Sequence, residues 1–313
     1  MEEISKEIQE LLKEACNSCK SNIIALSGGL DSSIIGYFLK DRKIKGIAVI
    51  AQDFVGNDLT YCQMVAKQFG IPLTIHSVNT AEILNAIEET IKILKNFNDI
   101  EIRNNVVMYL ALKWVKDQGL KGIITGDGAD ELFAGYSFLI NKPIEELDKE
   151  IERVCSVMHF PTQKIGDALG IKVESPFLDT KVREFAKKIS SELKVKKENN
   201  KRYGKWILRK AFEKKIPERI AWRDKSPMQE GSGTVGLTNL FDSIIDNEKF
   251  EEKKKNIQNT DGVIIRSKES MHYYEIFRKT YGIETGKTDS VCPYCKYDTS
   301  NSKFCRMCGA FPI

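Results

Sequence analysis

From residue 22 to residue 125 the chain keeps switching its hydrophobic period. Short apolar runs at 22–26, 46–51, 72–77 and 122–125 read as strands, and the segments 34–40, 59–69, 81–95 and 104–116 between them carry apolar residues at helical spacing. A strand, a helix and another strand in succession return the chain in parallel across a sheet face. The alternation therefore predicts an α/β fold, a doubly wound parallel sheet covered by helices. A further helix is expected at 4–19, where Ile4, Ile8, Leu11, Leu12 and Ala15 share one side.

Beyond Tyr136 the strand pattern fades. Helices are expected at 143–158, 162–169, 179–189, 205–215, 237–246 and 267–281, so the second half is mainly helical. The charged stretch 247–256 reads as a solvated helix face or a linker, and 284–290 has linker composition. Boundaries are placed at 1–137 for the α/β part, 138–285 for the helical part, and 290–313 for a cysteine-rich tail. The excess of 48 basic over 44 acidic residues, a net charge of +4, excludes a polybasic nucleic-acid coat. No apolar run reaches the roughly 18 residues of a membrane helix, and the first residues lack the pattern of a signal peptide, so a cytoplasmic protein away from the membrane is expected.

The chemistry starts at Ser27-Gly28-Gly29-Leu30-Asp31-Ser32-Ser33, placed where the first strand turns into a helix. Glycines let backbone approach an anion, the helix start offers unpaired N–H groups, and Ser27, Ser32 and Ser33 add hydroxyls. These features predict phosphate binding. No Gly-Lys-Ser/Thr follows, which excludes the P-loop, and Asp31 would repel phosphate without a cation such as Mg²⁺ between them. A second acidic, glycine-rich turn, Gly126-Asp127-Gly128-Ala129-Asp130-Glu131, follows the strand at 122–125. Its three carboxylates repel one another unless cations sit among them, so Asp31 and Asp130 are the expected metal ligands.

The first turn resembles the SGGxDSS loop of the N-type ATP pyrophosphatases. Residues 126–136 resemble the GEGxDExFxGY segment of the asparagine synthetase family. Ser175-Pro176-Phe177-Leu178-Asp179 resembles that family's VPFLD, and residues 205–212 resemble its KxxLRKAF. Trp222-Arg223-Asp224-Lys225 resembles its WRxK, and Gly231-Ser232-Gly233 stands where it has GVG. The resemblance spans roughly residues 5–281. It implies an adenine nucleotide α-hydrolase-like fold and a ligase that uses ATP and Mg²⁺ to adenylate a carboxylate, releasing pyrophosphate. It further implies that Ser27, Gly28, Gly29, Asp31, Ser32, Ser33, Gly126 and Lys205 hold the nucleotide. Lys225 would stabilise charge on the phosphates, and Asp127 would face the substrate where the family has Glu.

Two departures bear on substrate. The phosphate turn begins at residue 27 and residue 2 is Glu2, so the family's amino-terminal glutaminase domain is expected to be absent. The nitrogen would then come as ammonia from solution, from a separate glutaminase subunit, or as another amine. The family's LExRVPFLD reads Ile171-Lys172-Val173-Glu174 before Ser175, both charges reversed, which puts aspartate in question as the acceptor.

The tail spells C-x2-C-x9-C-x2-C through Cys292, Cys295, Cys305 and Cys308. Four thiolates at this spacing are the donor set of structural Zn²⁺, and the tail resembles a zinc ribbon, a module that docks a partner, RNA or its own domain. Cys16 and Cys19 read as ordinary helix-end cysteines; a metal role would need a third sulfur from Cys62 or Cys155. His76, His159 and His272 are isolated and read as packing or surface residues. The leading functional reading is the amide-forming ligase. A tRNA-modifying pyrophosphatase, suggested by the ribbon, and a nucleotide-binding scaffold are the alternatives.

Overall fold

The computed structural model of the chain describes every residue except 57, 199, 284, 285, 287, 289, 300 and 301 and the side chain of Val157. The linker expected at 284–290 thus lies largely outside the described residues. The first half runs α1 (Glu2–Ser18), β1 (Ile23–Ala25), α2 (Leu30–Leu39), β2 (Lys45–Ala51), α3 (Asp58–Phe69), β3 (Leu73–Val78), α4 (Thr80–Leu94), α5 (Asp99–Asp117) and β4 (Gly122–Ile124). There follow α6 (Ala129–Leu132), α7 (Ser137–Ile140), α8 (Ile144–Val157), α9 (Pro161–Leu169), β5 (Lys172–Glu174), α10 (Thr180–Lys188), α11 (Ser191–Lys194), β6 (Lys196–Glu198) and β7 (Lys201–Tyr203). Six helices follow, α12 (Trp206–Phe212), α13 (Glu218–Ala221), α14 (Met228–Ser232), α15 (Gly236–Ile244), α16 (Asn247–Asp261) and α17 (Lys268–Tyr281), and the described residues of the tail beyond them form turns.

The α/β expectation holds, with three refinements. The second helix starts at Leu30, inside the phosphate turn, so Asp31, Ser32 and Ser33 belong to its first turns. The helix expected from residue 104 begins at Asp99. A fifth strand, β5, and the β6–β7 hairpin appear between the expected helices, where no strand was expected. Strand β5 has one buried residue, Val173, between Lys172 and Glu174, too little apolar pattern to announce a strand.

The sheet order is β3-β2-β1-β4-β5. Strand β1 pairs in parallel with β2 and β4, and β4 with β5, with Ile24 opposite Gly46 on one side and Ile124 on the other. The chain winds outward from β1 toward β3 and then returns to β4, so the order reverses between β1 and β4. In open parallel sheets the crevice outside the carboxyl ends of the strands at that reversal is where ligands bind. The turns after β1 and β4 border it, and these are the two glycine-rich acidic turns.

The described chain falls into two compact units. One comprises Met1–Ile50, Asn57–His76 and Ala111–Pro227; the other comprises Ala51–Gly56, Ser77–Leu110 and Met228–Ile313. In the first, Ile24, Ile34, Ile124, Phe133, Phe177 and Phe212 form one buried core. In the second, α17 packs on α4 and α15, with the Phe97 ring 5.0 Å from Tyr274 and 5.4 Å from Phe277. Among the described residues no helix is long and apolar enough to cross a membrane.

Candidate active site

Gly29 precedes helix α2 at its N-cap, and no side chain caps the first turn, which leaves N–H donors for an anion. Gly28 makes the turn at φ 71°, where a Cβ would fall 2.4 Å from Cys62 N. Ser27 Oγ accepts from Gly29 N and lies 3.2 Å from Ser32 Oγ, so two hydroxyls flank the helix start. Ser33 is fully buried and donates to Gly29 O at 2.7 Å; Ser32, also buried, makes a longer contact of 3.3 Å to the same carbonyl, so Ser33 is the more firmly committed of the two.

The two acidic turns meet through lysines. Lys205 Nζ lies 2.6 Å from Asp31 Oδ2 and 2.7 Å from Asp130 Oδ1, and Lys225 Nζ lies 2.5 Å from Asp130 Oδ2. Lys205 is 3% exposed and sits at the N-cap of α12 in the left-handed region, φ 55°, a strained backbone for a side chain with a Cβ. Gly135 makes the junction possible, since a Cβ there would fall 1.9 Å from Asp130 Oδ1 and 2.3 Å from Lys205 Cε. Gly126 backs onto Asp31, its Cβ position 2.9 Å from Asp31 Cβ. Burial opposes ionisation of Asp130, but Lys205 and Lys225 outweigh it and hold the carboxyl well below the usual range. Burial likewise disfavours the Lys205 charge, and Asp130 and Asp31 reverse that, pushing its pKa up.

These residues fit a divalent cation. Asp31 Oδ1 is buried and accepts no hydrogen bond. Asp130 Oδ1, although ion-paired with Lys205, lies off the line of one. Two carboxylate oxygens with spare acceptor capacity, brought together at a phosphate turn, are the hard donors Mg²⁺ takes.

Asp127 faces a different set. Thr125 Oγ1 donates to its Oδ2 at 2.9 Å and shares a 2.9 Å bond with Ser175 Oγ. Burial, with Glu131 and Asp130 nearby, pushes the Asp127 carboxyl up to about 6. Tyr136 donates to Glu131 Oε1 at 2.5 Å; burial raises the Glu131 pKa against that bond. The reversed pair Lys172 and Glu174 forms its own 3.2 Å bridge, and Glu174 accepts from Lys20 N and Ser21 N. The reversal is thus absorbed locally, in the turn before β1.

Sequence reading missed three contributors. Arg209, 5% exposed, donates to Gly204 O, Ala221 O and Arg223 O, fastening the backbone beside Lys205 to the segment that carries Lys225. Arg223 pairs with Asp58 at 2.9 Å and lies over the Tyr61 ring, 3.7 Å from its centroid. No spacing could announce a pair 165 residues apart, although Arg209 and Arg223 both lie in segments singled out above.

In the second unit the Sγ atoms of Cys292, Cys295, Cys305 and Cys308 lie within 4.8 Å of one another, all buried. They are the only group of three or more potential ligands this close among the described residues. Among the described residues Cys16 and Cys19 belong to no group of three potential ligands; they are buried in the core of the first unit, where burial pushes the Cys19 thiol up to about 11. His272 packs on Phe241, centroids 4.7 Å apart.

A sequence model of the asparagine synthase family matches residues 6–152 and 149–281. Asparagine synthetase B [glutamine-hydrolyzing] of Escherichia coli (strain K12) is 28% identical over 89% of this chain and 53% of its own length. An asparagine synthetase [glutamine-hydrolyzing] of Lotus japonicus is 31% identical over 70% of this chain and 41% of its own. The chain spans about half the length of the curated relatives it matches. The solved NMN synthetase of Francisella tularensis aligns over 92% of this chain and 97% of that one, but its 12% identity and TM-score of 0.39 are too low to bear on function. The family match takes in both acidic turns, Lys205, Arg209 and Lys225, the residues that the geometry gathers. The chain belongs to the asparagine synthase family.

Proposed function

We propose that the chain is an ATP-dependent, AMP-forming ligase that adenylates a substrate carboxylate and passes the acyl group to ammonia or another amine. The observation that carries this reading is the chain of contacts Asp31–Lys205–Asp130–Lys225 at an uncapped helix start. Ser27, Gly28, Gly29 and Ser32, with the first N–H groups of α2, hold the outer phosphates, and Gly126 lets Asp31 come close beneath them. Asp31 and Asp130 hold magnesium, which supplies neutralising charge to the triphosphate. Lys205 and Lys225 lie where charge builds on the α-phosphate and on the departing pyrophosphate, a preorganised arrangement that favours the transition state.

In the first step a carboxylate oxygen bonds to the α-phosphorus, the bond to the bridging oxygen breaks, and pyrophosphate leaves with that electron pair. In the second the amine nitrogen bonds to the acyl carbon, AMP leaves, and the nitrogen gives up a proton to Asp127, whose raised pKa suits a base near neutrality. The named relatives hydrolyse glutamine; the nucleophile proposed for this chain is the nitrogen of ammonia or of another amine. The four tail thiolates hold zinc. Product analysis of the full chain with ATP, Mg²⁺, ammonium and a panel of carboxylates beginning with aspartate tests the reading. AMP and pyrophosphate in equal amounts support it; ADP and phosphate contradict it.

A further inference from the structure

The two halves of the cysteine tail repeat one turn. Cys292 O accepts from Lys296 N at 2.9 Å, and Cys305 O accepts from Gly309 N at 2.8 Å. The residue after each second cysteine is left-handed, Lys296 at φ 62° and Gly309 at φ 76°. Cys292 Sγ lies 3.8 Å from Cys308 Sγ, and Cys295 Sγ 3.5 Å from Cys305 Sγ. A disulfide needs ~2.05 Å. A tetrahedron with metal–sulfur bonds of ~2.3 Å has edges of ~3.8 Å.

The outward carbonyls of these turns are held by their own unit. Arg306 O accepts from Asn98 Nδ2 at 3.5 Å, Met307 O from Phe97 N at 3.0 Å, and Cys308 O from Arg266 Nη2. In the first turn Tyr294 O accepts from Ile264 N at 2.7 Å. Asn98, 2% exposed, works in two directions: its Nδ2 grips the tail, and its Oδ1 accepts Glu101 N at 3.3 Å in the first turn of α5. Just beyond, Arg103 binds Gln229 Oε1 at 2.9 Å, Thr238 Oγ1 at 2.6 Å and Glu269 Oε2 at 2.6 Å. Its carbonyl accepts Thr234 Oγ1 at 3.0 Å.

We propose that the tail is an internal metal staple: one zinc ion on Cys292, Cys295, Cys305 and Cys308 fixes both turns, which hold Asn98 and the start of α5 and, through Arg103, residues 229–238. The ribbon's partner is this chain itself. The inference rests on the zinc reading and goes beyond it, because a ribbon that bound an outside partner would leave its carbonyls free for that partner and α5 indifferent to the metal.

The test is hydrogen exchange on the full chain, with and without zinc, after metal content is measured. One zinc per chain is expected. Stripping it with a chelator should speed exchange at least tenfold at 99–106 and 229–238, with β1 and β4 unchanged and protection restored by added zinc. Asn98→Asp, which keeps the oxygen that caps α5 and removes the Nδ2 donor to Arg306 O, should keep its zinc yet show fast exchange at the start of α5. Zinc bound one to one, with exchange at both segments unmoved by stripping, overturns the staple while leaving the zinc site intact. Absence of zinc, or disulfides among the four cysteines, overturns both. If stripping unfolds the unit as a whole, the Asn98 variant decides: zinc retained with unchanged exchange at α5 overturns the staple, and zinc retained with local loss supports it.

Discussion

Lys205 does between Asp31 and Asp130 what a metal ion does: it lets two carboxylates share a small, nearly dry space. Removing one partner of such a cluster leaves charge uncompensated, at a cost of about 3–5 kcal/mol when the pair is well buried. Lys205→Met is therefore expected to lose about 3 kcal/mol in urea unfolding at pH 7, and millimolar Mg²⁺ should restore part of that loss while adding little to the wild type. The pH window follows from the directions of the shifts. Asp130, held low, contributes at neutral pH and loses its contribution as pH falls below ~4, its unfolded value. Lys205, held high, contributes up to ~10.4 and loses its contribution only above that. Asp127 has the opposite sign to Asp130. Its folded carboxyl is raised to about 6, so its stability is present below ~4 and a cost grows in as pH rises through 6. Asp127→Asn should gain on the order of 3 kcal/mol over wild type at pH 8 and nothing at pH 4, since each tenfold change in proton affinity is worth ~1.4 kcal/mol. The same substitution should abolish the rise in kcat/KM with midpoint near 6 that the ionised base gives the wild type.

At the scale of elements, the site depends on how short segments are fastened. Helix α12 has seven residues, too few to be stable alone, and Arg209 ties its start to the end of α13 through three carbonyls. The guanidinium fork makes those bonds from a fixed plane, which an ammonium cannot reproduce. Arg209→Lys should therefore lower both stability, by about 2 kcal/mol, and the rate of pyrophosphate release, by at least tenfold. A fall in stability with release unaltered would show that Arg209 positions neither lysine. The elements themselves were legible where period was strong. Strands β1 to β4 and their helices fall within a few residues of expectation because each carries an apolar run or stripe. Helix α5 opens five residues before its expected start, on Asp99-Ile100-Glu101-Ile102-Arg103, which alternates like a strand, with Asn98 Oδ1 accepting from Glu101 N in its first turn. The charged stretch at 247–256 opens the helix α16, capped by Asp246.

At the scale of the molecule, sequence reading found the two acidic turns because their glycines and carboxylates sit close together along the chain. It could name Lys205 and Lys225 only through family resemblance, and it gave no sign of Asp58 with Arg223, whose meeting depends on the fold. It weighed the reversed Lys172–Glu174 pair as a comment on substrate, whereas the structure shows a local bridge and a backbone cap. The central claim is that the turns after β1 and β4 grip a nucleotide through a shared divalent cation. Calorimetric titration of the full chain with ATP, in Mg²⁺ and in EDTA, for wild type and Asp31→Asn, tests it most directly. Wild-type affinity should fall at least tenfold without the cation, and the variant should bind weakly and equally in both. Equal wild-type binding in Mg²⁺ and in EDTA would contradict that claim.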